Sequence, residues 1–467
     1  MATLDSTQDE KSRTRAFMTL LAEGLALPRA ALERVELAGS GDLPSVFAVS
    51  DFAAAAVGCA SAAMLELLET RFGVVPCACV DRRLASLWFG MTLRPEGWTL
   101  PPMWDPIAGN YATRDGWIRL HTNAPHHRDA ALGVLRVRAD KAAVADAVRR
   151  WDAEALETAI VENKGCAAAM RSIDAWKQHP QGRIVATQPL FAIGRTGAAA
   201  DSTWTPAIER PLQGLRVLDL TRVLAGPVAT RFLAAFGADV LRIDPPEWDE
   251  PGVIPEVTLG KRCARLDLRQ PAARSTFTDL LRNADVLVHG YRRDALENLG
   301  FGAEARCALR PGLIDVSLDA YGWEGPWRNR RGFDSLVQMS AGIADAGMRI
   351  WRRQEPTPLP VQALDHATGY MLAAAVLHGL AQRATQERGF EARTSLAHAA
   401  QALLDGPQAQ HTAPFVPPTD AEWSSALEDT DFGPARRLKP PVTVDGTPLR
   451  WDRPAARLGS SPPAWSA

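Results

Sequence analysis

The sequence predicts an α/β protein in which an open parallel Rossmann-like sheet domain is combined with a smaller α+β domain. Three observations predict it. Residues 215–220 are a short apolar run of strand character. Gly226 and Pro227 then open a helical pattern with Leu233 and Phe236 on its apolar face, and Gly237 closes it before a second strand-like run, 239–243. Strand, short turn, helix and strand form a βαβ unit, the signature of a parallel sheet with a right-handed crossover. Ligands of such sheets sit beyond the carboxyl ends of the strands, so 222–226 and 244–246 lie at the mouth of any site. The turn lacks G-x-G-x-x-G, the dinucleotide fingerprint. By itself the unit says only that this is an α/β enzyme-like domain, with a turn that holds no ligand as the lesser alternative.

Composition narrows the function. The chain has 467 residues, 46% hydrophobic and 23% charged, an ordinary globular balance. A formal net charge of −2 gives no electrostatic reason to expect nucleic acid or an anionic membrane as partner. Residues 1–15 are too polar for a secretory signal, and the Ala-rich run 52–65 is too short to span a bilayer, so a cytoplasmic location is expected. Cys77 and Cys79 have no second pair to complete a zinc site, so the thiols are expected to be buried. The histidines show no ligand spacing, and His126-His127 is expected in a solvated loop; no metal is expected.

Taken in order, residues 1–90 form an N-terminal segment. It holds a helix near 15–24, a strand at 46–49 and a long Ala/Leu helix headed by Asp51. Ser50 or Asp51 is the expected N-cap. Residues 91–182 form the small α+β domain, with a hairpin over 111–120 turning at 114–116 and helices near 130–135, 141–150, 153–163 and from 173. A Pro- and Ala-containing linker, 183–213, follows. The sheet domain, 214–404, continues through strands at 264–268, 285–288 and 312–318, and ends in a helix headed by Asp365. Residues 405–467 are rich in Pro and Trp and are expected to wrap the surface as an extended tail. An internal repeat is also visible: the helix headed by Asp51 and the one headed by Asp365 are each followed by a short strand and another helix.

Five stretches carry a resemblance. They are 210–227, 237–246, 260–268 with its K-R and L-D-L, 284–288 with L-x-x-L-G-F at 296–301, and 322–326 with Gly332-Phe333-Asp334. Together they resemble the family III CoA-transferases, the group of formyl-CoA, carnitinyl-CoA and bile-acid-CoA transferases, whose fold α-methylacyl-CoA racemases share. In that family the sheet domain precedes the small domain. Here the small-domain-like residues come first, as if two truncated copies had been fused, the first keeping an Asp-headed helix and a small domain.

The resemblance implies chemistry at Asp365, which stands where the family carries its nucleophile; an aspartate there is otherwise an ordinary N-cap. A carboxylate can serve because a thioester acyl carbon is reactive and the transfer is split into easier steps. The helix N-terminus is expected to favour the anion and to leave N–H groups free for an oxyanion. Coenzyme A is the implied substrate and product, with an acyl-CoA and a carboxylic acid as partners and a homodimer as the assembly. Residues matching the family's CoA-binding loops are Arg222, Val223, Leu224, Ala225, Pro245, Leu266, Arg269, Gly290 and Tyr291; Arg331 matches a basic position near the pantetheine. Departures are His289-Gly290-Tyr291-Arg292 in place of E-N-F-R, Asn298 where some members carry Arg, and Phe333 where racemases carry His. Asp51, with no sheet segment before it, is expected to be structural. A racemase or isomerase, or a CoA-binding protein without activity, are the alternatives.

Overall fold

The computed structural model describes residues 2–198, 204 and 206–466. At its centre is a seven-stranded sheet. In chain order its strands are β1 (Ala192–Ala198), β2 (Arg216–Leu220), β3 (Asp239–Asp244), β4 (Lys261–Arg265), β5 (Val286–His289), β6 (Ile314–Asp319) and β7 (Arg388–Ser395). The spatial order is β4-β3-β2-β5-β6-β7-β1, all parallel except β1, which runs antiparallel along β7. The chain leaves β2 on one side through β3 and β4, then returns to the other side at β5. That reversal opens a crevice at the carboxyl ends of β2 and β5. In-register Val217, Val240 and Val286 illustrate why the strands read as apolar runs: both faces are covered. The segment 183–213 is therefore more than a linker, because its strand β1 covers what would otherwise be an open sheet edge.

Six helices position the site: α1 (Ala2–Glu23), α2 (Val49–Phe72), α3 (Ala225–Ala235), α4 (Asp334–Ser340), α5 (Ala363–Gln386) and α6 (Leu396–Asp405). Helix α1 starts well before the expected residue 15. Helix α2 is long and apolar enough to cross a bilayer by length and composition, contrary to the reading of 52–65 as too short, but it lies buried in the core. It packs against α1 and α5, and α5 packs against α3. Gly369 of α5 makes the last contact possible, since a Cβ there would stand 2.5 Å from the Ala225 carbonyl oxygen and 2.7 Å from Val228 Cβ.

Helices α2 and α5 are each 24 residues long and begin in the same way. Their N-caps, Ala48 (φ −75°, ψ 57°) and Gln362 (φ −74°, ψ 64°), adopt an inverse γ-turn, closed by Val49 N–H to Phe47 O and Ala363 N–H to Val361 O, both 2.8 Å. Asp51 and Asp365 are thus the third residues of their helices and neither is an N-cap. The turn also rules out the expected strand at 46–49. Each helix is followed by a strand and a capped helix: Ala78–Asp81 with Arg82–Leu87, and β7 with α6. Ala78–Asp81 pairs in parallel with Val35–Ala38 and antiparallel with Val442–Val444, as β7 does with β6 and β1. The tail 405–467 is consequently not a simple surface wrap: it supplies a buried strand to the first of these sheets.

Residues Gly109–Ala112, Trp117–Leu120 and Ala167–Ala169 form a small antiparallel sheet, with Thr113 N–H bonded to Gly116 O at the hairpin turn. The helices Pro125–Leu135, Lys141–Val148 and Ala153–Glu162 pack on it around Ile118, Leu120, Val144, Leu156 and Ile160.

Candidate active site

The loop after β2 is held from beneath by a buried carboxylate. Asp219 Oδ1 accepts from Thr221 N–H (2.9 Å) and its hydroxyl, while Oδ2 accepts from Thr230 Oγ1 (2.6 Å) and Lys261 Nζ (3.0 Å). Burial opposes its ionisation, but the Lys261 ammonium outweighs that and holds it below the usual carboxylate range. The next residues are shaped by Glu250, whose Oε1 accepts from Val223 N–H (2.8 Å) and Trp248 Nε1 (2.6 Å) and whose Oε2 accepts from Arg242 (3.2 Å). Val223 sits at φ 63°, a left-handed conformation that a β-branched residue adopts only when its surroundings impose it.

Beyond this loop lies a cleft of about 650 Å³. Arg222, Val223, Ala225, Pro245, Gly290, Tyr291 and Arg331 all line it. Arg222 bridges the switch point: its Nη2 donates to Tyr291 Oη (3.1 Å), and its guanidinium stacks on Trp248 (4.7 Å) and Tyr291 (5.2 Å). Among the described residues, Arg222, Arg292 and Arg331 form no ion pair with a carboxylate. Burial, and then Arg292, depress Arg331. Unpaired cations converging on one cleft fit a polyphosphate ligand. Asp319, also on its wall, is pushed up to about 7 by burial.

Three expected contacts fall outside the cleft. Leu224 lines a second cavity instead. Leu266 follows the end of β4 and packs on the apolar cluster containing Leu218 and Leu241. Arg269 is exposed and bonded to Asp267 Oδ1 (2.6 Å) and Glu247 (3.1 Å), so its charge is already satisfied. His289 is buried 3.5 Å from Asp315 and does not line the cleft, and Asn298 is exposed.

Asp365 stands where the cleft meets the second cavity, of about 210 Å³, and lines both. Its residue is only 7% exposed and its carboxyl accepts no hydrogen bond among the described residues. Burial, and next the neighbouring Asp334, push it well above the usual carboxylate range. Asp334 comes from the start of α4: its Oδ2 accepts Leu364 N–H (2.9 Å) and Asp365 N–H (3.0 Å), and its Oδ1 accepts from Gln338. Burial raises Asp334 to about 6. Ala363 and His366 N–H are bonded to Val361 and Gln362 carbonyls. This corrects two expectations. The first N–H groups of α5 are occupied and not free for an oxyanion, and the helix end does not favour the Asp365 anion, because the Asp334 carboxylate already sits on it.

Neutral donors do face the cavity. Gln362, one turn before Asp365, lines it, as does Ser335, whose buried Oγ has no partner among the described residues. His121 also lines it, stacked face to face on Phe333 with ring centroids 3.7 Å apart, and burial holds its imidazole neutral. Asp334 and His121 come to this cavity only through folding, whereas Gln362 lies one turn before Asp365 in the chain; the aspartate of Gly332-Phe333-Asp334 was the one visible signal. His127 overturns the solvated-loop expectation, since it is buried inside Pro125–Leu135 and burial lowers it to about 3, while His126 is exposed at the cleft. Among the thiols, Cys59, Cys166 and Cys263 are buried but Cys77 is exposed.

Asp51 occupies the corresponding helix position but a different environment. It is fully buried and bonded to Arg13 Nε (2.9 Å), Thr14 Oγ1 (3.0 Å) and Arg82 Nε (3.1 Å), and it lines neither cavity.

Residues 212–426 match the family described as CoA-transferase family III. An acyl-CoA transferase of Gibberella moniliformis is 28% identical over 351 residues, covering 67% of this chain and 61% of that protein. The probable fatty acyl-CoA transferase Rv3272 of Mycobacterium tuberculosis is 35% identical over 188 residues, 37% of this chain and 47% of the other. One crystal structure of Rv3272 aligns with a TM-score of 0.38 and 31% identity over 43% of this chain and 57% of that one. The succinyl-CoA:glutarate CoA-transferase of Mus musculus is 31% identical over 217 residues, 42% of this chain and 49% of the other. The chain thus spans no more than 61% of the length of these curated relatives. The likeness to CoA-transferase family III rests on residues 212–426, somewhat under half of the chain.

Proposed function

We propose that the chain moves CoA from an acyl-CoA to a carboxylic acid through covalent intermediates on Asp365. The observation that carries this reading is the position of its unbonded carboxyl, between a cleft lined by unpaired cations and a second, largely apolar cavity. CoA phosphates would meet Arg222, Arg292 and Arg331, with the thioester delivered to the junction. The Asp365 carboxylate attacks the acyl carbonyl and expels CoA thiolate, leaving an aspartyl acyl anhydride. Thiolate then attacks the aspartyl carbonyl, releases the acyl carboxylate and leaves an aspartyl-CoA thioester. An acceptor carboxylate reverses the two steps, so no proton or electron is gained or lost overall. With the helix N–H groups occupied, the Gln362 amide and the Ser335 hydroxyl are the donors within the cavity for each oxyanion.

Exchange of labelled CoA between two acids tests the scheme. Transfer should disappear in Asp365→Ala and a hydroxylamine-sensitive CoA adduct should vanish with it; near-normal exchange refutes it. The assembly we propose is a homodimer, which native mass checks.

One observation favours a second reading. His121 supplies an imidazole beside Phe333 and in the same cavity as Asp365, a pair suited to moving a proton at the acyl α-carbon. Solvent deuterium entering that carbon without exchange of the carboxylate partner would select the isomerase.

A further inference from the structure

Resting on the transferase reading, we infer that the second cavity takes an uncharged, apolar acyl group and discriminates against dicarboxylic ones. Its wall is built from Met103, Trp104, Leu224, Val253 and Phe333, and among the described residues no Lys or Arg lines it, in contrast to the adjoining cleft. An apolar cavity with a few polar groups near the reacting end binds an apolar group by displacing water from its walls.

The charges that do reach the wall are of the wrong sign for an anion. Asp105, Asp249 and Glu250 line it beside Asp334 and Asp365. Two of these carboxylates are fixed. Asp105 accepts from Thr122 Oγ1 (2.8 Å) and Ile107 N–H (3.1 Å), and Glu250 holds Val223, Trp248 and Arg242. The nearby cations are already engaged, Arg242 with Glu250 of the wall (3.2 Å). Arg128 pairs with Asp105 (3.4 Å), and Arg119 stacks on Trp104 (4.8 Å) while donating to Asn110 Oδ1 (3.0 Å). A terminal carboxylate carried into this cavity would lose its water and find, among the described residues, no lining cation, with Arg128 and Arg242 beside it already paired.

Hexanoyl-CoA and adipoyl-CoA have six-carbon acyl chains and differ at the far end by a carboxylate. Their affinities for the full chain carrying Asp365→Asn, measured by titration calorimetry, decide the matter without turnover. Hexanoyl-CoA should bind about tenfold more tightly or better. Adding Met103→Arg, on the half-buried connection before the strand Gly109–Ala112, should narrow that ratio. Equal or tighter binding of adipoyl-CoA, or no binding of hexanoyl-CoA, overturns the inference. Failure of the transferase reading shows separately, as absence of exchange in the unsubstituted chain whichever acyl-CoA binds better.

Discussion

Two aspartates at the same helix position have opposite physics. Asp51 neutralises Arg13 and Arg82 in a dry environment. Asp51→Asn should cost about 1–3 kcal/mol, because Arg13 and Arg82 lose a buried partner but keep Asp9 and Asp42, with transfer per folded molecule unchanged. Burial, and next Asp334, raise the Asp365 carboxyl well above the usual carboxylate range. A carboxyl whose pKa is raised on folding keeps a proton that the unfolded chain releases, so stability falls as pH rises from the ordinary carboxylate range toward the raised pKa. Asp365→Asn should therefore stabilise the fold at neutral pH, on the order of 1 kcal/mol, while transfer falls by about three orders of magnitude. Thermal melts set beside exchange rates check both variants. The same shift controls catalysis, since the attacking form is the carboxylate: the rate should fall as pH drops through the raised pKa of the Asp365–Asp334 pair. Asp334→Asn removes the neighbouring charge and should move that acid limb to lower pH, which a pH–rate profile reads directly.

At the scale of elements, helix α5 carries Asp365 but its placement depends on α3. A valine at Gly369 would drive its Cβ into the Ala225 carbonyl and Val228. Gly369→Val should cost about 1–3 kcal/mol and weaken CoA binding, because the head of α3 is also a wall of the cleft. Melting and CoA titration of the variant measure the two effects. The elements were largely legible in the sequence: the βαβ unit, the later strands and helices α2 and α5 lie within a few residues of their expected positions. The errors share one cause. The runs at 46–49, 126–127 and 192–198 are too short for local preference to decide between strand, helix and loop, and their neighbours in space decided instead.

Across the whole molecule, the first half, the sheet domain and the tail meet at one buried carboxylate. Glu256 accepts from Thr92 (N–H 3.0 Å, Oγ1 2.7 Å), from Arg231 of α3 and from Arg437 of the tail (3.3 Å). Burial opposes its charge, yet Arg231 and Arg437 hold it below the ordinary range. Its contribution is present above the ordinary carboxylate pKa and is lost as pH falls through the depressed one. Glu256→Gln should cost about 3 kcal/mol and loosen the tail, seen as earlier proteolysis within 405–466. The sequence by itself determined the βαβ alternation, the parallel sheet and the residues of the first turn, because hydrophobic period and turn chemistry act over neighbouring residues. Only the tertiary structure decided which of two equivalent aspartates is sealed by arginines and which faces a cavity. It alone also set Asp334 on the helix end and, among the described residues, lined the second cavity without a Lys or Arg. Burial and electrostatic environment are sums over groups distant in the chain, and no local pattern encodes them.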